Sequence, residues 1–148
     1  MTAAEMYEPQ DEEYDADALR RLSFRKGSAP RRKPEREIVS DAIGHLREIG
    51  GYAWKVHGGR MGNIGEPDVD ACVRGRSVKL EAKAIGNSLT GPQIQALRRW
   101  ARAGALVGWF RCNQHIDDLL DHLGEPNFRP DLARPGCVCP RHSGGDAR

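Results

Sequence analysis

Asp68, Glu81 and Lys83 are the residues around which chemistry can gather in this sequence. They lie in GEPDVDACVRGRSVKLEAK, residues 65–83. Asp68 to Val73 alternates polar and apolar residues, and so does Ser77 to Lys83, the period of strands buried on one face. Val69, Ala71 and Val73 then point one way and Asp68, Asp70 and Cys72 the other. Likewise Val78, Leu80 and Ala82 oppose Lys79, Glu81 and Lys83. If Arg74-Gly75 forms a two-residue hairpin loop, Val73 pairs with Arg76 and Asp68 lies across from Glu81. A three-residue loop would offset that pair without separating it far. Carboxylates so placed repel each other unless a cation binds between them, and hard oxygen ligands suit Mg²⁺. Lys83 projects from the same face as Glu81, within reach of a water or an anionic oxygen. Asp70 lies farther from that pole of the face.

The elements that must position these groups follow from pattern. From Pro34 or Glu35 to Ile49 the residues Ile38, Val39, Ala42, Ile43, Leu46 and Ile49 form a helical stripe, closed by Gly50-Gly51. Glu35 and Glu37 fall in the first turn, where a carboxylate favours the helix dipole with or without any other role. Tyr52 to His57 is the next strand, with Lys55 and His57 on one face. Residues 58–65, with Arg60 among them, are too glycine-rich for regular structure. They form either a close-approach loop for a phosphate backbone or a plain connection.

Beyond Lys83, Thr90-x-x-Gln93 matches a capping box, which alone accounts for both residues. Gln93, Ala96, Leu97, Trp100 and Ala103 make the inner stripe of that helix. Arg98, Arg99 and Arg102 form its other side, readable as a DNA track or a solvated face. Ala105 to Phe110 is a continuous apolar run, as in a strand covered on both faces. His115 to Leu123 has helical spacing. The predicted fold class is α/β, with the order helix–strand–strand–strand–helix–strand (αβββαβ) and a mixed central sheet flanked by helices.

Gly65-x-Pro67-Asp68, then Glu81-Ala82-Lys83, then Thr90 and Gln93 ahead of a helix, resembles the PD-(D/E)XK nuclease superfamily with its restriction-endonuclease-like core. Within it the chain is most similar to VRR-NUC domains, small modules of phage and bacterial nucleases that resemble Holliday-junction resolvases. The likeness runs from about Glu35 to Phe110, roughly half the chain. Glu-x-Lys alone arises by chance about once in a few hundred residues, so the ordered set carries the resemblance. It implies a Mg²⁺- or Mn²⁺-dependent nuclease cutting DNA phosphodiester bonds, an endonuclease selective for junctions or flaps in one version. Asp68, Glu81, Lys83 and Gln93 would be catalytic. Asp68, Glu81, the Ala82 carbonyl and Glu35, with Glu37 as the alternative to Glu35, would hold metal. A homodimer suits two-strand cleavage.

The sequence divides into an acidic-then-basic arm, 1–33, a nuclease-like domain, 34–123, and an irregular tail, 124–148. Residues 1–17 carry seven acids and no base, and residues 20–33 seven bases and no acid. Arg31, Arg32 and Lys33, with Lys55, His57 and Arg60, are the candidates for nucleic-acid contact. The alternative for the arm is a solvated linker whose halves screen one another. A net charge of +2 gives no whole-protein field toward nucleic acid. No apolar run is long enough for a membrane span, and the acidic start is unlike a signal peptide, so a soluble cytoplasmic protein is expected. Four cysteines then read as reduced thiols or metal ligands. Cys137-x-Cys139-x-x-His142, joined by Cys112-x-x-His115, offers zinc ligand types. The spacing is not a standard finger, and the expectation is unligated thiols on an irregular end. Two other functions compete with the nuclease: a non-catalytic nucleic-acid module using the basic arm, and a zinc-dependent interaction module.

Overall fold

The computed structural model describes residues 32–58, 62, 64–137 and 139. Arg31, Arg60, His142 and the arm through residue 31 lie outside the described residues. The chain forms α1 (Glu35–Glu48), β1 (Tyr52–Lys55), β2 (Val69–Val73), β3 (Arg76–Ala82), α2 (Gly91–Arg102), β4 (Leu106–Phe110) and α3 (Asn113–Leu120). This is the predicted α/β order, with α3 added after the core. The sheet order is β1-β2-β3-β4, antiparallel through the first three strands and parallel between β3 and β4. The sheet is therefore mixed, and α2 makes the crossover that a parallel pair requires.

Local chemistry sets each boundary. Both long helices end in a glycine with positive φ, Gly50 at 89° and Gly104 at 102°. In each case the next two amides return to the last turn: Gly50 N–H to Arg47 O and Gly51 N–H to Leu46 O, then Gly104 N–H to Ala101 O and Ala105 N–H to Trp100 O. That double closure satisfies carbonyls the helix leaves open. Thr90 and Gln93 form the predicted capping box on α2. The hairpin turn is Arg74-Gly75, with φ of 49° and 80°, and two such residues match the right-handed twist of the strands. Val73 pairs with Arg76, as predicted. The first strand stops at Lys55 rather than His57, because only Val56 N–H continues the pairing, to Asp68 O.

Period-two alternation divides the core. Val69, Ala71, Val73, Val78, Leu80 and Ala82 pack with Ile38, Val39, Ala42 and Leu46 of α1 and with Ile116 and Leu119 of α3. Leu97 and Ala101 of α2 pack with Ala105 and Val107 on the other side. All five residues of β4 are buried, as its continuous apolar run implies. Complete burial of a Leu or Val contributes about 1.5–3 kcal/mol, so these two layers dominate the stability of the fold.

Residues beyond Leu123 have no helix or strand among those described, yet they are packed. Arg76 Nη1 donates to the carbonyls of His122, Leu123 and Glu125. Trp109 Nε1 donates to Leu132 O, and Gly136 N–H reaches Trp109 O on the open side of β4. Phe128 and Cys139 lie against the main core, and Cys137 is buried in it. The segment is irregular in secondary structure, and its two thiols nonetheless lie in or against the core. The segment lacks periodicity because it is held by scattered backbone hydrogen bonds, not because it lacks a place to pack.

Gly65 sits where the loop before β2 meets the start of α2. Its φ is +84°, and a Cβ there would lie 2.6 Å from the Pro92 backbone carbon and oxygen. Backbone cannot yield as a side chain can, so Gly65→Ala combines strain with a clash. A loss of about 2–3 kcal/mol is expected from urea denaturation, set against a smaller effect for Gly44→Ala, which meets nothing.

Candidate active site

The β2–β3 hairpin carries its acids to one end. Val69 pairs with Leu80, so Asp68, one residue before β2, comes beside Glu81. The two residues interlock. Asp68 N–H donates to Glu81 Oε2 at 3.2 Å, and Ala82 N–H donates to Asp68 Oδ2 at 3.1 Å. Each carboxylate is thus oriented by the backbone beside the other. Glu35, the first residue of α1, completes the group: one carboxylate oxygen from each of Glu35, Asp68 and Glu81 lies within 4.8 Å of the others. Of the two first-turn acids the sequence offered, Glu35 is the one in this cluster.

Glu81 is only 2% exposed, and Lys83 only 8%. Lys83 Nζ lies 3.7 Å from Glu81 Oε1. Burial, and then the neighbouring Asp68 charge, push the Glu81 carboxyl up from 4.5 to about 8, with Lys83 acting the other way. The one nearby amine does not offset the burial of Glu81 and its closeness to Asp68. The donor set is all oxygen, compact and anionic, and fits a hard divalent cation such as Mg²⁺ or Mn²⁺.

Gln93 serves two structures at once. Its Oε1 accepts from Thr90 N–H at 2.9 Å, closing the capping box, while its Nε2 donates to Glu81 Oε1 at 2.6 Å. The cap and the site, alternatives in the sequence, are one arrangement. Asp70 is elsewhere on the face, paired with Lys79 at 2.5 Å, and Lys79 Nζ also lies 4.0 Å from the Trp100 ring centre. Trp100 Nε1 donates to Glu66 Oε2, tying α2 to the loop that leads into Asp68. These partners were not legible beforehand, since they depend on where α2 crosses the sheet.

The candidate nucleic-acid residues are more scattered. Lys55 and His57 are exposed and flank Val56, whose amide is bonded to the Asp68 carbonyl at 2.7 Å, so they border the cluster without joining it. Arg32 is exposed, with Nη1 close to Gly86 in the loop after β3. Lys33 is paired with Asp41 along α1. Arg98 and Arg102 line a cleft of about 350 Å³ with Arg129, Leu132 and Val107. Cys72 is exposed. A hydrogen bond from the His115 side chain holds the Cys112 thiol below its ordinary range.

A carboxyl whose folded pKa exceeds its unfolded value holds its proton more tightly in the native state. Glu81 therefore favours the metal-free fold fully below 4.5, and this contribution is lost as pH rises toward and through about 8. Thermal unfolding of the metal-free protein across this window should show wild type losing stability relative to Glu81→Gln as pH increases. Adding Mg²⁺ at the alkaline end should restore wild type and leave the variant unmoved. Parallel curves would refute the buried, strained carboxylate.

No helix among the described residues is long and apolar enough to cross a membrane. No family model matches the chain, and no curated protein does. Among solved structures it is similar to Hjc, a Holliday junction resolvase from the archaeal hyperthermophile Archaeoglobus fulgidus. The identity is 21%, the match covers 52% of this chain and 67% of that chain, and the TM-score is 0.44. A likeness this distant identifies neither family nor activity.

Proposed function

We propose that the chain is a divalent-metal-dependent nuclease that hydrolyses phosphodiester bonds in DNA. The observation that carries this reading is the meeting of half-buried Glu35 and Asp68 with buried Glu81, with Lys83 on the same strand face 3.7 Å from Glu81. Asp68 and Glu81 would hold the metal, with Glu35 and the Ala82 carbonyl beside them. Bound there, Mg²⁺ or Mn²⁺ would supply Lewis acidity toward a phosphoryl oxygen and lower the pKa of a coordinated water.

The protein's own groups then have distinct tasks. Lys83 is placed to orient or deprotonate the attacking water, or to stabilise the negative charge that develops on the phosphoryl group. Gln93 fixes the Glu81 carboxylate through its amide while anchoring α2, so helix position and ligand orientation are coupled. Lys55 and His57, which flank Val56 beside Asp68, and exposed Arg32 near Gly86 suit phosphate contact. Arg31 and Arg60 belong to the same proposal from sequence alone. Branched junctions and flaps are the substrates to examine first, and a symmetric dimer would place two such sites on opposite strands.

A panel of junction, flap, duplex and single-stranded DNA, assayed with Mg²⁺, Mn²⁺ and EDTA, tests the activity. Asp68→Asn and Glu81→Gln should each abolish cleavage while DNA affinity stays equal or tightens, since a negative charge facing phosphate is gone. Lys83→Ala should slow turnover by about a hundredfold or more without weakening metal binding. Asp70→Asn, already neutralised by Lys79 in the wild type, should have the smaller effect. Full activity in Asp68→Asn or Glu81→Gln would sink the proposal. EDTA-insensitive DNA binding with no cleavage of any substrate would favour a binding module instead.

A further inference from the structure

A second group of ligand-type side chains lies away from the carboxylates, at the end of α3. His122 follows the last turn of that helix, and the chain returns to it after fifteen residues to bring Cys137 and Cys139 alongside. His122 Nε2 is 3.3 Å from Cys137 Sγ and 3.5 Å from Cys139 Sγ, and the two sulfurs are 3.3 Å apart. The three donor atoms form a small, nearly equilateral triangle. His122 is 2% exposed and Cys137 8%, so the group is largely shielded from water.

We propose that His122, Cys137 and Cys139 bind zinc. Tetrahedral Zn²⁺ with sulfur at about 2.3 Å and nitrogen at about 2.0 Å places such donors roughly 3.5–3.8 Å apart. The observed triangle is only slightly tighter than that. Thiolate and imidazole are the soft and borderline donors zinc selects, unlike the all-oxygen set around Glu81.

The surroundings of His122 support the assignment independently. Its Nδ1 is hydrogen-bonded to the Glu125 carboxylate, which accepts that proton and leaves Nε2 as the lone-pair nitrogen facing the sulfurs. Its ring stacks on Phe128, with centroids 3.6 Å apart and planes within 3° of parallel. Imidazole tautomer and tilt are thus both set toward the cysteines. Structural zinc sites take a fourth ligand, and the three described donors leave one position for it.

The site would be structural. It joins the end of α3 to the segment whose Gly136 amide bonds β4 at Trp109, the residue paired with Glu81 across the parallel strands. Metal here would hold down a stretch that has no secondary structure of its own.

The test uses the full chain, purified reduced and without DNA, so its outcome is independent of the nuclease reading. Elemental analysis should find one zinc per chain. Replacement by Co²⁺ should produce a thiolate-to-cobalt charge-transfer band, which carboxylate ligands cannot give. Cys139→Ser and His122→Gln should lose the band and the zinc. Glu81→Gln should keep both. Glu125→Gln, a positioning change, should weaken zinc binding by about 10–100-fold while leaving the band. Chelation should lower the melting temperature of wild type and not of Cys139→Ser, whose folding is checked by circular dichroism. A folded wild type with neither zinc nor the cobalt band would overturn the site. So would zinc retained by Cys139→Ser, or a Cys137–Cys139 disulfide that leaves stability indifferent to chelator.

Discussion

The structure depends on a single costly arrangement, the meeting of the Glu35, Asp68 and Glu81 carboxylates at one end of a hairpin, with Glu81 buried. Asp68 and Glu81 each accept a hydrogen bond from the amide beside the other. That reciprocity ties side-chain position to strand register: slipping one strand by one residue would turn its acid toward the apolar core and part it from the other. The type of turn therefore decides whether the two acids meet. Arg74 adopts φ of 49° and Gly75 of 80°, and the two-residue loop they make places Val73 opposite Arg76 and the acids together.

The second face of the sheet is organised around the same demand. An α/β unit normally covers a strand face with apolar residues, and Leu97 and Ala101 do so over Val107. Toward the acids, however, α2 contributes polar contacts: Gln93 to Glu81 and Trp100 to Glu66. Lys79 is absorbed between Asp70 and the Trp100 ring. The polar face of the hairpin is thus neutralised along most of its length and left with excess negative charge at one end. Such a gradient concentrates cation affinity at Glu35, Asp68 and Glu81.

What could be read in advance was what is local. Alternation at period two, the Arg74-Gly75 turn, the Thr90–Gln93 cap and the glycine stop at Gly50 each depend on a few neighbouring residues, and each appears as predicted. The paired acids were legible because a hairpin converts sequence spacing into distance. His122 was not, because its relation to Cys137 rests on fifteen residues of irregular chain. Cys112-x-x-His115 was the visible complement, but neither residue belongs to the His122–Cys137–Cys139 group. Periodicity says nothing about a segment anchored by Arg76, Trp109 and single backbone hydrogen bonds.

The two candidate centres differ in a way that lets one chain hold both. Around Glu81 every donor is oxygen, negatively charged and crowded, which favours a hard ion that keeps water in its shell. Around His122 the donors are sulfur and nitrogen, and the imidazole is aimed by Glu125 and Phe128. Raw affinity for N, O and S ligands would let zinc compete at either place, so discrimination must come from donor chemistry and geometry. Separation into an all-oxygen cluster and a thiolate–imidazole cluster provides it. The first sits where a strand ends and open coordination can admit water and an anion. The second lies under an irregular segment, where metal held by His122, Cys137 and Cys139 would tie down a stretch that lacks regular hydrogen bonding.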